Sequence, residues 1–158
     1  MHVSKRTMVL FLVTGTTIVL SMLLTLIVVY TGAYAISEMI FAVSGLLVSI
    51  YLVLYQYLRV PLACPRSGLV DCRKVLDSKY SFLARNIRTS VLGLLFFPLM
   101  IAAVLIGNHP LVVLFSFAGL IYTFERIYTQ YRIGSICLYC TFTYIMVVSM
   151  LMTALISA

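Results

Sequence analysis

Charge is what this chain has least of. Asp, Glu, Lys and Arg make up 9% of its 158 residues, against about 25% in a soluble globular domain. Only four residues are acidic, while 63% are hydrophobic and the mean hydropathy is +1.15. That balance excludes a soluble domain. Long-period repeats, low-complexity tracts and flexible linkers are also missing, so 1–158 reads as a single membrane domain. No aromatic-interleaved basic motif or nucleic-acid fold signature occurs, and no nucleic-acid partner is expected despite a formal charge of +7.

What is present are uncharged runs of bilayer length. About 20 apolar residues span a hydrocarbon core as a helix. Uncharged stretches run over Met8–Tyr30, Met39–Leu58, Ser90–Asn108, Leu111–Phe124 and Cys137–Ala158. They predict five transmembrane helices at about 8–30, 37–58, 90–108, 110–128 and 136–158, with a water-facing loop at 59–89. The fourth is the weakest pattern, because Glu125 and Arg126 interrupt it before Ile127 and Tyr128. Lys5 and Arg6 resemble the basic start of a signal peptide, and Ala33-Tyr34-Ala35 offers a cleavage pattern. The apolar stretch is, however, much longer than the roughly 7–15 residues of a signal core, so a retained helix is expected.

Lys and Arg are absent from one set of connections: 31–37, the Asn108-His109-Pro110 turn and the C-terminus. All eleven lie before the first span, in 59–89, or between the fourth and fifth spans. Five crossings put those three segments on one side, and short-loop Lys/Arg bias marks the cytoplasmic face. The expectation is a multi-pass cell-membrane protein whose 59–89 loop faces the cytoplasm. Within that loop, Val75, Leu76, Leu83 and Ile87 alternate with basic residues. The pattern fits an amphipathic lid lying at the interface and, equally, a solvated basic loop.

Four cysteines fall in two unlike pairs. Cys64 and Cys72 flank a polar loop with seven intervening residues, and Cys137-Leu138-Tyr139-Cys140 opens the last apolar run. As zinc ligands, the first pair is wider than the usual roughly two to four intervening residues. As inert core thiols, it would be oddly placed in a proline- and glycine-containing loop. Dithiol/disulfide pairs that exchange through mixed disulfides fit both spacings. At a helix start, the dipole and unsatisfied N–H groups favour a thiolate at Cys137. Cys140 lies almost a turn deeper, with Tyr144 four residues on, on the same face. Tyrosine is also common at membrane boundaries, where it simply packs.

In order along the chain, Ser44-Gly45-Leu46-Leu47-Val48-Ser49-Ile50-Tyr51, the cysteine loop, Cys72-Arg73-Lys74-Val75-Leu76-Asp77-Ser78, Ala118-Gly119-Leu120-Ile121-Tyr122, Cys137-Leu138-Tyr139-Cys140 and Tyr144 resemble the vitamin K epoxide reductase family, including its disulfide-forming bacterial and archaeal members. The resemblance covers about 43–151. It implies an all-α integral membrane fold, a four-helix bundle to which the N-terminal helix is additional. It also implies a quinone-dependent protein-dithiol oxidoreductase that supports disulfide formation. Cys64, Cys72, Cys137 and Cys140 would be catalytic, with Ser78 the supporting loop residue. Tyr144 would contact quinone, and Thr89 holds the place of an asparagine that contacts quinone in the animal enzymes, with Asn86 three residues away. The electron acceptor would be a membrane quinone such as menaquinone or ubiquinone, with no metal. No thioredoxin-like domain is fused, so that partner would be a separate chain. One added crossing would invert the family's usual outward-facing site, in line with the charge distribution. Quinone-epoxide reduction on the same scaffold and a non-enzymatic metal-binding membrane subunit are the alternative readings. Glu125 and Arg126 read either as part of a proton path or as a helix-end pair that snorkels to the interface. His109 reads as a turn residue.

Overall fold

The computed structural model describes residues 5–32, 34–64, 68–84 and 87–157. Five long helices follow from the five apolar runs, because in lipid a backbone must satisfy its own N–H and C=O groups. They are α1 (Lys5–Thr31), α2 (Tyr34–Leu58), α4 (Ser90–Ile106), α5 (His109–Ile133) and α6 (Leu138–Ser157), with a short α3 (Cys72–Leu76) between α2 and α4. The protein is all-α in its membrane part. Among the described residues, the only strand ladder is a short antiparallel one, Phe82–Ala84 with Ile87–Arg88, in the connecting loop.

Helices α1, α2, α5 and α6 are long and apolar enough to cross a membrane. The shortest of the five is α4, with 17 residues, at the lower limit of about 17–25 for a span. The weak element is thus not the one the charge pattern singled out. Glu125 and Arg126 do not end the fourth span: α5 is continuous to Ile133. Its ends are set by local chemistry. Asn108 Oδ1 accepts the Leu111 N–H at the start, and Gly134 takes a left-handed φ of 67° to close the far end.

At the centre stands α6, packed on α1, α2 and α5, while α4 seals the bundle against α2 and α5. The helix preceding the four-helix core, α1, lies along α5 and α6. It buries Val9, Val13, Thr17, Ser21 and Val28 on one stripe. Close helix approach is purchased with small residues, as is usual in membranes. A Cβ on Gly45 of α2 would sit 2.2 Å from the Phe97 ring of α4. We expect Gly45→Val to lower stability by about 1–3 kcal/mol, the usual cost of overpacking, read by denaturant unfolding in detergent. An unchanged midpoint would show that α2 and α4 are not in this contact.

The 59–89 loop folds back over one end of the bundle. Asp71 caps α3 by accepting the Lys74 N–H, and Val75 and Leu76 are buried against the helix ends. Gln56 of α2 donates to Leu76 O and to Ser81 Oγ, each at 3.2 Å, and accepts from Ser90 Oγ. Tyr55 donates to Asp77, which also pairs with Arg88. Val75 and Leu76 lie as the lid reading expects, and the side chains of Leu83 and Ile87 fall outside the described residues.

Candidate functional site

Both cysteine pairs come together at the lid end. Cys64 and Cys72 form a disulfide, and Cys137 and Cys140 are free thiols. Cys72 and Cys137 are fully buried in one apolar cluster with Leu52, Tyr55, Val75 and Leu76, and Cys64 and Cys140 lie at its partly exposed edge. Two deep sulfurs therefore sit between two more accessible ones. The lid is stitched to the segment before Cys137 by a parallel bridge. Asp71 N donates to Ile136 O (3.0 Å), and Ile136 N donates to Leu69 O (2.8 Å).

Tyrosines hold the strand entering Cys64. Tyr51 Oη donates to Pro61 O (3.0 Å) and accepts the Ala63 N–H (3.1 Å). Tyr139, from within the Cys-x-x-Cys, donates to Ala63 O at 2.7 Å. The two rings pack at 5.3 Å. A side chain between Cys137 and Cys140 thus grips the residue next to Cys64.

Beneath the sulfurs lies a cavity of about 280 Å3, close to the lower end of the roughly 300–1,000 Å3 of small-molecule sites. Its walls are largely apolar, from Leu52, Phe96, Phe97 and Val147. Cys140, Tyr144, Thr89, Tyr122 and Arg126 supply its chemistry. Of the residues singled out in the sequence, the fold brings Cys140, Tyr144 and Thr89 onto this one cavity. Ser78 is not among its lining residues; its hydroxyl donates to Val75 O (2.8 Å) and closes the end of α3. Asn86 lies outside the described residues.

One buried group that the sequence reading did not single out joins Cys137 to Tyr144. Gln130, fully buried on α5, accepts the Cys137 N–H on Oε1 (2.7 Å) and donates from Nε2 to the Tyr144 hydroxyl (3.0 Å). A backbone N–H can only donate, so Oε1 must face Cys137 and Nε2 must face Tyr144. Tyr144 Oη is then an acceptor from Gln130, and its own hydrogen remains for a neighbour on the cavity side. Gln130 ties the position of the inner thiol to that of the tyrosine. Removing it would leave two buried polar groups unpaired, at about 1–3 kcal/mol each.

Arg126 was singled out in the sequence, with Glu125, either as part of a proton path or as a helix-end pair that snorkels. Its guanidinium does pair with Glu125 (2.8 Å), but it neither ends the helix nor snorkels outward. Seven residues from the end of α5, it turns inward and is buried. Nη1 donates to Tyr80 O and Thr89 Oγ1, both at 3.1 Å, which ties the lid to α5. Thr89 Oγ1 in turn donates to Ser81 O (3.1 Å), and Tyr122 Oη donates to Thr89 O (3.0 Å). The available signal was spacing: Ser116, Gly119, Thr123, Arg126 and Gln130 recur every three or four residues on the buried face of α5.

Among the described residues, no three His, Cys, Asp or Glu side chains converge as a metal site. A membrane bundle bearing two contiguous cysteine pairs over an apolar cavity is the frame of a membrane redox protein. The chain belongs to the Vitamin K epoxide reductase family, whose model matches residues 36–155; the protein is accordingly a membrane thiol oxidoreductase. The match takes in all four cysteines and begins after α1. No curated protein and no solved structure matches the chain.

Proposed function

We propose that the protein oxidises a separate thioredoxin-like partner and passes the electrons to a membrane quinone. The observation that carries this reading is the position of Cys140, which lies in the same apolar cluster as the Cys64–Cys72 disulfide and also lines the 280 Å3 cavity. A partner thiolate attacks the disulfide at Cys64, the more accessible sulfur, and a second partner thiol resolves the mixed disulfide. The partner leaves oxidised, and Cys64 and Cys72 become a dithiol. Cys72 then attacks Cys137 of a Cys137–Cys140 disulfide, and Cys64 resolves that bond. The product state is one disulfide at Cys64–Cys72 and two thiols at Cys137 and Cys140, the pairing seen in this structure. The inner dithiol gives two electrons and two protons to quinone and closes to a disulfide. Tyr144 donates its hydroxyl hydrogen to one quinone carbonyl as negative charge develops there. Thr89 shapes the cavity edge, and Ser78 steadies the lid through α3.

The cavity is sized for one flat ring system, leaving a prenyl tail to the lipid. With purified protein in nanodiscs, dithiothreitol and 2,3-dimethyl-1,4-naphthoquinone, we expect one quinol formed per two thiols oxidised. Thiol oxidation without quinol would overturn the quinone assignment.

The direction of the site follows from charge. The lid, Arg132 and the start of α1 share one end of the bundle, since Val9 and Val13 pack with Ile127, Ile136 and Tyr144. We infer that this end faces the cytoplasm, where the positive-inside rule puts short basic loops. Disulfide-rich intracellular proteins are known in hyperthermophiles. In intact cells treated with a permeant reductant, an impermeant maleimide should leave Cys64 unlabelled until the membrane is opened. Rapid labelling from outside would reverse the orientation.

A further inference from the structure

The cavity contains a cation to which the relay described above assigns no role. Arg126 is nine-tenths buried on α5 and lines the space into which Cys140 and Tyr144 also project. Its terminal nitrogens are occupied by Tyr80 O, Thr89 Oγ1 and Glu125. Its Nε is buried and has no hydrogen-bond partner within the protein. A buried donor left unpaired is costly, and a buried charge more so. Glu125, the one acid paired with it, is half-exposed, and the guanidinium otherwise lies 5.5 Å over the ring of Tyr122, which also lines the cavity.

Holding the lid explains Nη1 and Nη2. It does not explain why a residue that lines a ligand cavity is a cation, with Nε also buried and unpaired within the protein. A fixed cation has a use where an incoming electron pair makes an oxygen negative, because preorganised charge stabilises that oxygen as it develops. Resting on the quinone reading above, we propose that Arg126 is a substrate-contact residue. Its guanidinium charge stabilises the developing negative oxygen of a quinone carbonyl while the Cys137/Cys140 dithiol supplies two electrons. The two protons that complete the quinol come from the two thiols. Arg126 remains protonated throughout and exchanges none.

The test uses the full-length protein in nanodiscs, with two naphthoquinones of similar size and different electron demand, the 2,3-dimethyl and the 2,3-dimethoxy compounds. Two rates are read separately: dithiothreitol exchange with the Cys64–Cys72 disulfide, and quinol formation. Arg126→Gln should keep thiol exchange within about twofold while kcat for quinone falls by about 10²–10³-fold, the usual loss for one oxyanion-stabilising group. The fall should be larger for the electron-rich dimethyl compound, because the cation contributes most where the quinone itself holds charge least well. Arg126→Lys, which keeps the charge but loses the planar guanidinium and its fixed hydrogen bonds to Tyr80 and Thr89, should fall between wild type and the Gln variant. Equal loss of thiol exchange and quinol formation would mean that Arg126 only fastens the lid, and would overturn the assignment. Equal losses for the two quinones, or a Lys variant no faster than the Gln variant, would overturn it as well. Wild-type protein that forms no quinol would instead sink the quinone reading.

Discussion

Cys140→Ser protein is expected to reduce no quinone above background and to yield a Cys72–Cys137 disulfide on quenching. The expectation follows from which sulfurs are deep and which are accessible. Cys72 and Cys137 are both fully buried in one cluster, so the bond between them is the natural crossing point of the relay. In the wild-type chain that bond is short-lived. It is resolved either by Cys64, which sends the electrons on to the inner pair, or by Cys140, which returns them to the lid. With Cys140 gone, Cys137 can attack the Cys64–Cys72 disulfide at Cys72 but cannot close its own pair, so only Cys64 can resolve the mixed disulfide, and alkylating Cys64 as the reaction is quenched traps it. Peptide mapping after alkylation should find Cys72 joined to Cys137 and Cys64 alkylated. The opposite lesion is at the entrance. Cys64→Ser should abolish oxidation of a thioredoxin-like partner while a small dithiol that reaches the inner pair still drives quinone reduction. A Cys64→Ser protein that loses both activities equally would contradict the division between entrance and exit sulfurs.

Tyr144→Phe should lower quinone reduction by about 10²-fold, the scale of losing one hydrogen-bond donor to a developing oxyanion, and leave dithiol exchange at Cys64–Cys72 unchanged. The reasoning rests on Gln130. Its amide is oriented by the Cys137 N–H, so it donates to Tyr144 and leaves the tyrosine hydrogen uncommitted to Gln130. The phenyl ring of the variant keeps the packing with Val9, Val13 and Ile127, which separates loss of the hydroxyl from loss of the wall. Should the Phe variant keep wild-type quinone kinetics, Tyr144 is a packing residue, the ordinary role of tyrosine at a membrane boundary.

How much of this was legible in the sequence varied with the physics of each element. Four of the helices were, because apolar length alone dictates a span; α4 is shorter, and the end of α5, expected near 128, lies at Ile133, where Gly134 closes it. The cysteine order was legible too, since two spacings and their neighbours are local. Arg126 was legible only as a choice between a proton path and a snorkelling helix-end pair, because a charged residue next to an acid near a predicted helix end most often points outward. Only the continuation of α5 to Ile133 turned it into an interior residue. Gln130 was hidden for a related reason. An uncharged amide carries no signal until Cys137 and Tyr144, seven and fourteen positions on, are folded against it. Ser78 entered through the family resemblance, and its contact is with α3 and not with the cavity.

The central claim is a two-ended relay, with entry at Cys64 and exit at Cys140. It is tested most directly by measuring quinol formation in wild-type and the four Cys→Ser proteins, driven once by a reduced thioredoxin-like protein and once by dithiothreitol. The account predicts that the protein donor fails in all four variants. The small dithiol should still support quinol formation in Cys64→Ser and Cys72→Ser, and fail in Cys137→Ser and Cys140→Ser. Quinol formation that survives in Cys140→Ser, with either donor, would contradict it.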